Sequence, residues 1–104
     1  MKIEELKSKY AAHALERSGA WLLDNEFALR FIDELAKHRL KLNGIEGYWL
    51  RGDVLEPSLE NSVYFIGTDL RASKLMGQDV FAKARNFIGQ RKDTGLLFDI
   101  DFEA

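Results

Sequence analysis

Three carboxylates alternate with three apolar residues at one end of the chain: Asp99, Asp101 and Glu103 interleave with Phe98, Ile100 and Phe102. Successive side chains of a strand point to opposite faces, so a strand here sends the apolar set to one side and the acids to the other. Alternate residues on one face lie about 7 Å apart, where like charges repel by roughly 0.6 kcal/mol in water. A cationic partner would turn that repulsion into attraction. Acids at this spacing do not converge on one divalent ion, whose ligands lie at roughly 2.1–2.5 Å, so neither a metal nor any other cofactor is expected. The row reads as a partner-binding surface, or as the solvated outer face of an edge strand.

Two further segments could stand beside it. Ile45–Leu50 and Ser62–Ile66 are aromatic and β-branched, the composition of strands. Alternation sends one aromatic of each strand to each face, so Tyr48 and Tyr64 are candidate anchors next to the acids. Tyrosine and tryptophan recur as binding hot spots because they combine a large apolar body with a polar tip.

Other chemistry finds little support. His13 and His38 are the two histidines, and neither sits in a metal-ligand or nucleophile-elbow pattern. A histidine paired in space with a carboxylate would still permit general acid–base work, which is the enzymatic alternative. Lys83, Arg85, Arg91 and Lys92 give one helix a basic character that could meet phosphates. The net charge of −2 and the core-like spacing of Phe81 and Phe87 argue against nucleic-acid binding. Arg51-Gly52-Asp53 reads as a turn. The absence of cysteine removes thiol chemistry and disulfides and fits a reducing compartment. No apolar run reaches 18 residues, and the segment from Met1 to Tyr10 is charged and amphipathic, unlike a secretory signal. A cytoplasmic protein without membrane association is expected.

Charge is distributed in blocks. Residues 53–69 carry four acids and no base, 70–92 carry six bases against Asp79, and 93–104 return to acid. Such blocks either neutralise one another inside the fold or give the surface two poles.

The elements that must position these residues follow from periodicity. Ile3, Leu6, Tyr10 and Ala14 mark an amphipathic helix over residues 2–17, stopped by Ser18-Gly19. Asp24 or Asn25 caps a second helix with Phe27, Phe31, Ile32 and Leu35 on its apolar face, and Asn43-Gly44 supplies its left-handed exit. Trp21 and Leu22 would pack at the bend between the two. The aromatic strands follow as a long hairpin, its connection punctuated by Gly52-Asp53 and Glu56-Pro57-Ser58. Ser73–Gly89 holds a turn and then a helix from about Asp79, and the acidic strand closes the chain after Asp93-Thr94-Gly95. The expectation is one α+β domain over residues 1–104, in the order ααββαβ. Its small, mostly antiparallel sheet carries helices on one face and leaves the other open.

In size, lack of cysteine, α+β order and the acidic strand Phe98-Asp99-Ile100-Asp101-Phe102-Glu103, the chain resembles bacterial toxin-immunity proteins, including those of contact-dependent inhibition systems. The resemblance implies a cytoplasmic, non-enzymatic inhibitor that binds a cognate toxin domain, such as a basic nuclease. Asp99, Asp101 and Glu103 are the expected contacts, with Tyr48 and Tyr64 as anchors. The alternatives are a small hydrolase or ligand-binding enzyme using a histidine–carboxylate pair, and a homodimer joined through the open sheet face or the final edge strand.

Overall fold

The structure is a computed structural model that describes residues 3–65 and 77–103. Among these residues it contains three α-helices and five strands, an α+β architecture. The order is α1 (Ile3–Tyr10), a 3-10 turn (Ala11–His13), β1 (Leu15–Arg17), β2 (Ala20–Leu23), α2 (Asn25–Lys37), β3 (Lys41–Arg51), β4 (Val54–Tyr64), α3 (Gly77–Gly89) and β5 (Leu97–Glu103). The strands form one antiparallel sheet in the order β1-β2-β5-β3-β4. The first part of the expected turn-and-helix, residues 73–76, and Ile66 of the expected second strand lie outside the described residues.

The element order differs from ααββαβ by an added hairpin between the first two helices. The first helix ends at Tyr10, and Leu15–Arg17 pairs with Ala20–Leu23 across Ser18-Gly19. Both turn residues have positive φ, 53° at Ser18 and 81° at Gly19, the geometry of a two-residue type I′ hairpin. Ser-Gly thus turns a hairpin instead of ending a helix. Trp21 and Leu22 consequently lie in a strand, not at an interhelical bend.

Asp24 caps α2 as expected, its Oδ1 accepting from the Phe27 amide at 2.9 Å. The helix exit comes earlier than Asn43-Gly44. Arg39 takes the left-handed conformation at φ 56°, and the Leu40 amide reaches back to the Leu35 carbonyl at 2.9 Å. Asn43-Gly44 is left to β3, at an irregularity between Leu42 and Gly44 in its pairing with β5.

The β3–β4 hairpin is tighter than its composition suggests. Arg51 pairs with Val54 across Gly52-Asp53, and only Gly52 has positive φ, as the first position of a type II′ turn requires. Strand β4 then runs through Pro57, which it tolerates as an edge strand. Four residues, Leu59–Ser62, form a bulge between the Gly47–Ser58 and Ile45–Val63 pairs. Side chains fix the bulge. The Ser62 hydroxyl donates to the Ser58 carbonyl at 2.7 Å and accepts from the Gly47 amide at 3.1 Å. From the turn after α3, Arg91 donates to Asn61 Oδ1 at 2.9 Å while its guanidinium lies 3.8 Å from the Phe87 ring centroid.

The core lies between the helices and one sheet face. Leu6 and Tyr10 of α1, Phe31, Ile32 and Leu35 of α2, and Ala84 and Ile88 of α3 pack with Leu42, Ile45, Phe98 and Ile100 of the sheet. Phe31 is the hub, in edge contact with Tyr10 at 5.2 Å and Phe102 at 5.2 Å. Each fully buried side chain of this kind contributes on the order of 1.5–3 kcal/mol. Strand β5 is therefore an interior strand between β2 and β3, not the edge that its position at the chain end suggested. It cannot serve as an edge for dimerisation along its paired length.

Candidate functional site

Residues opposite one another in an antiparallel pair share a face, so register decides what the acids meet. With Phe98, Ile100 and Phe102 turned to the core, Leu97, Asp99, Asp101 and Glu103 project from the other side. Asp99 stands opposite Glu46 of β3, and Asp101 opposite Gly44. Tyr48 follows Glu46 on that side and stands opposite Leu97. Tyr64, paired with Gly44 across the β3–β4 ladder, completes the row Tyr64–Gly44–Asp101. Gly44 makes this possible, since a Cβ there would lie 2.9 Å from the Tyr64 ring carbon Cδ1. The result is a group of Glu46, Asp99 and Asp101 flanked by Tyr48 and Tyr64, partly exposed on the sheet face away from the core cluster. None of these residues belongs to the core cluster, to which all three described helices contribute.

Four of the five residues singled out from sequence thus come together. Glu103 stands apart at the sheet end, in an ion pair with Lys41 at 3.3 Å. The residue that sequence reasoning missed is Glu46. Its signal is present, because it alternates with Tyr48 within Ile45–Leu50, a segment whose aromatic residues are the more conspicuous feature. The signal for Lys7 was absent: it comes from α1, far away in the chain, and lines a cleft of about 270 Å³ with Ile3, Glu46, Asp99, Ile100, Asp101 and Phe102. This cleft opens where β2, paired to β5 only through Leu22 and Leu23, leaves the rest of β5 uncovered.

Electrostatics single out Asp99. Burial, the most of any cause, pushes its carboxyl above the usual range, and the charges of Glu46 and Asp101 add to this. The Lys7 ammonium and the Trp21 backbone amide act in the opposite sense. The Tyr48 hydroxyl reaches Glu46 Oε2 at a long 3.5 Å. Burial and then Glu46 raise the phenol pKa of both Tyr48 and Tyr64. Both phenols therefore remain protonated at neutral pH and can donate to an incoming acceptor. Chemically, the face can attract a cation, receive its apolar stem on two aromatic rings and exchange hydrogen bonds at its rim. Its acids are dispersed along the ladder, and among the described residues no three His, Asp or Glu side chains form a group that could hold a metal ion.

The histidines lie elsewhere. His13 is exposed and stacks on Phe27 with centroids 3.8 Å apart. His38 Nε2 lies 3.2 Å from Glu34 Oε2, so a histidine–carboxylate pair does exist. Glu34, however, also accepts from Lys9 Nζ, and that bond, ahead of the other causes, holds its carboxyl below the usual range. A proton-transferring carboxylate near neutral pH requires the opposite shift. The trio instead ties α1 to the C-terminal end of α2, where a cation also meets the helix dipole favourably.

Neither the models of known protein families nor the curated proteins yield a match to this chain. Among the described residues, no helix is long and apolar enough to cross a membrane.

Proposed function

We propose that this chain is a non-enzymatic protein-binding domain that docks a basic partner on its open sheet face, and that its concrete form is an immunity protein neutralising a cognate bacterial toxin. One observation carries the binding reading: Glu46, Asp99 and Asp101 share a face with Tyr48 and the half-exposed Tyr64, opposite the face that the helices pack against. Acids of one sign steer a basic partner toward the surface, and aromatic rings beside them supply the area that holds it. The toxin reading adds the resemblance in size, composition and acidic strand. A toxin nuclease fits the charge, because a cleft that attracts phosphate is itself basic.

The test is capture from lysate of the source cells with the tagged protein beside a Glu46→Lys/Asp101→Lys variant. A stoichiometric basic protein retained by the wild type and lost by the variant is the expected result. That protein should be toxic when expressed alone and harmless when co-expressed with this chain. Equal capture by the variant refutes the site. A captured protein without toxicity refutes the immunity role, and wild-type bait that holds no stoichiometric protein counts against a binding module.

A further inference from the structure

Lys7 is the one cation facing the acidic group from inside the molecule, among the described residues that line the cleft. Its place is set by α1, which is fastened on either side of it: Leu6 and Tyr10 are buried, and Lys9 pairs with Glu34. From that anchored turn the Lys7 side chain crosses the face of Trp21, with Nζ 5.1 Å from the ring centroid. The neighbouring residue of β2, Leu22, stands opposite Asp99. The ammonium is thus held against an aromatic ring on the helix side of β2, at the uncovered margin of β5, in a cleft that Glu46, Asp99 and Asp101 also line. Among the described residues it forms no ion pair within 4 Å, unlike Lys9 and Lys41, which are both closely paired. A cation drawn to the acids but not locked to one of them can leave at small cost.

We propose that Lys7 is a built-in, displaceable counter-ion that shares the acidic cleft at the margin of β5 in the free protein and is expelled from it by the partner's cation. This rests on the binding reading above. In the free molecule Lys7 offsets part of the repulsion among Glu46, Asp99 and Asp101. On binding, a guanidinium replaces it with two parallel donors against a carboxylate, a geometry that an ammonium cannot reproduce. The consequence is a threshold: weakly charged surfaces do not displace Lys7, and an arginine-bearing partner does.

The probe is a dodecapeptide of alternating arginine and glycine, added to the full chain and followed by NMR and by calorimetry. The ε-methylene protons of Lys7 should start upfield, shifted by the Trp21 ring, and return toward the position of an unconstrained lysine as peptide binds. Lys7→Gln should bind the peptide about threefold tighter, the scale of an exposed ion pair lost from competition, while Lys37→Gln on α2 should not change it beyond a generic charge effect. If the peptide binds and Glu46→Gln weakens it, yet the Lys7 protons stay upfield, the displacement is refuted and the binding face stands. The displacement is equally refuted if Lys7→Gln binds no tighter than Lys37→Gln. If neither the wild type nor Lys7→Gln binds the peptide, the binding face and the displacement fall together.

Discussion

Replacing Asp99 by Asn should make the protein more stable at neutral pH while weakening the proposed partner site. Asp99 and Glu46 stand directly opposite in the β5–β3 register. Opposed Cβ atoms lie about 5 Å apart, which puts the carboxylates at roughly 6 Å. Repulsion at that distance is about 0.7 kcal/mol in bulk water and about 2.8 kcal/mol at an effective dielectric of 20. Asp101, two residues along the same face, adds about 0.6 kcal/mol at the watery limit. Against these stands the attraction of Lys7 and of the Trp21 backbone dipole, on the order of 1 kcal/mol together. The balance favours the Asp99→Asn variant by about 0.5–1.5 kcal/mol after solvent screening, or several degrees in Tm for a domain of this size.

The pH dependence separates this account from any unrelated gain. The carboxyl of Asp99 is raised in the folded state by burial, Glu46 and Asp101. The native protein therefore holds that proton more tightly than the unfolded chain, whose aspartate titrates near 3.9. Below about 3.9 both states carry the proton and the penalty is absent; it develops as pH rises through the folded value and is complete above it. Urea unfolding of both proteins should show the variant ahead at pH 7 and level with the wild type at pH 3, with equal slopes. An Asp99→Asn protein less stable than the wild type at pH 7 would make Asp99 a structural acceptor and refute the reasoning. So would an advantage that persists undiminished at pH 3.

Two further perturbations probe the scaffold. Gly47→Ala should cost about 2–4 kcal/mol in urea unfolding, because the new Cβ would lie 2.2 Å from the Asn61 carbonyl oxygen, and backbone must move to admit it; a loss under about 0.5 kcal/mol would mean that the Leu59–Ser62 bulge does not press on β3. Glu34→Gln should lower Tm at pH 7 and converge on the wild type in acid, since the Lys9 bond depresses the Glu34 carboxyl, and stability from a depressed acid is present above its unfolded value and lost as pH falls through the folded one.

The parts of the fold that were legible in the sequence are those whose period is long and uninterrupted. Strand β5 alternates without a break, and the apolar stripe of α2 recurs behind a capping aspartate, so both could be placed from residue types alone. The β1–β2 hairpin was hidden because Ala14 continues the stripe of Ile3, Leu6 and Tyr10, and because Ser-Gly serves helix ends and hairpin turns alike. A three-residue strand is too short to show alternation. Sheet order was illegible for a different reason. Nothing local tells that β2 pairs with β5, and only that pairing moves β5 from the edge to the interior. Of the site, Tyr48, Asp99 and Asp101 could be read from alternation, but the irregularities at Asn43 and Leu59–Ser62 shift the register by amounts no pattern encodes. Glu46 opposite Asp99, and Lys7 in the cleft that both line, are products of that register and of packing.

The direct opposition of Glu46 and Asp99 is the strongest support for the proposed binding role of this face. The fold rests on the other side of the same strands, on Ile45, Phe98 and Ile100 packed beneath the helices. Nothing there requires an acid at either position. Across an antiparallel pair, opposite charges or two threonines would stabilise the ladder, whereas like charges directly facing oppose it. The same ladder shows the favourable choice at its far end, where Lys41 meets Glu103. A local choice that works against its own strand pairing, placed beside two tyrosines on the face away from the core, is the kind of inconsistency expected of the proposed binding surface. By this logic Glu46→Lys should strengthen the isolated domain as much as Asp99→Asn does, by pairing a cation with Asp99. It should also abolish capture of the basic partner, so that stability and binding move in opposite directions from a single substitution.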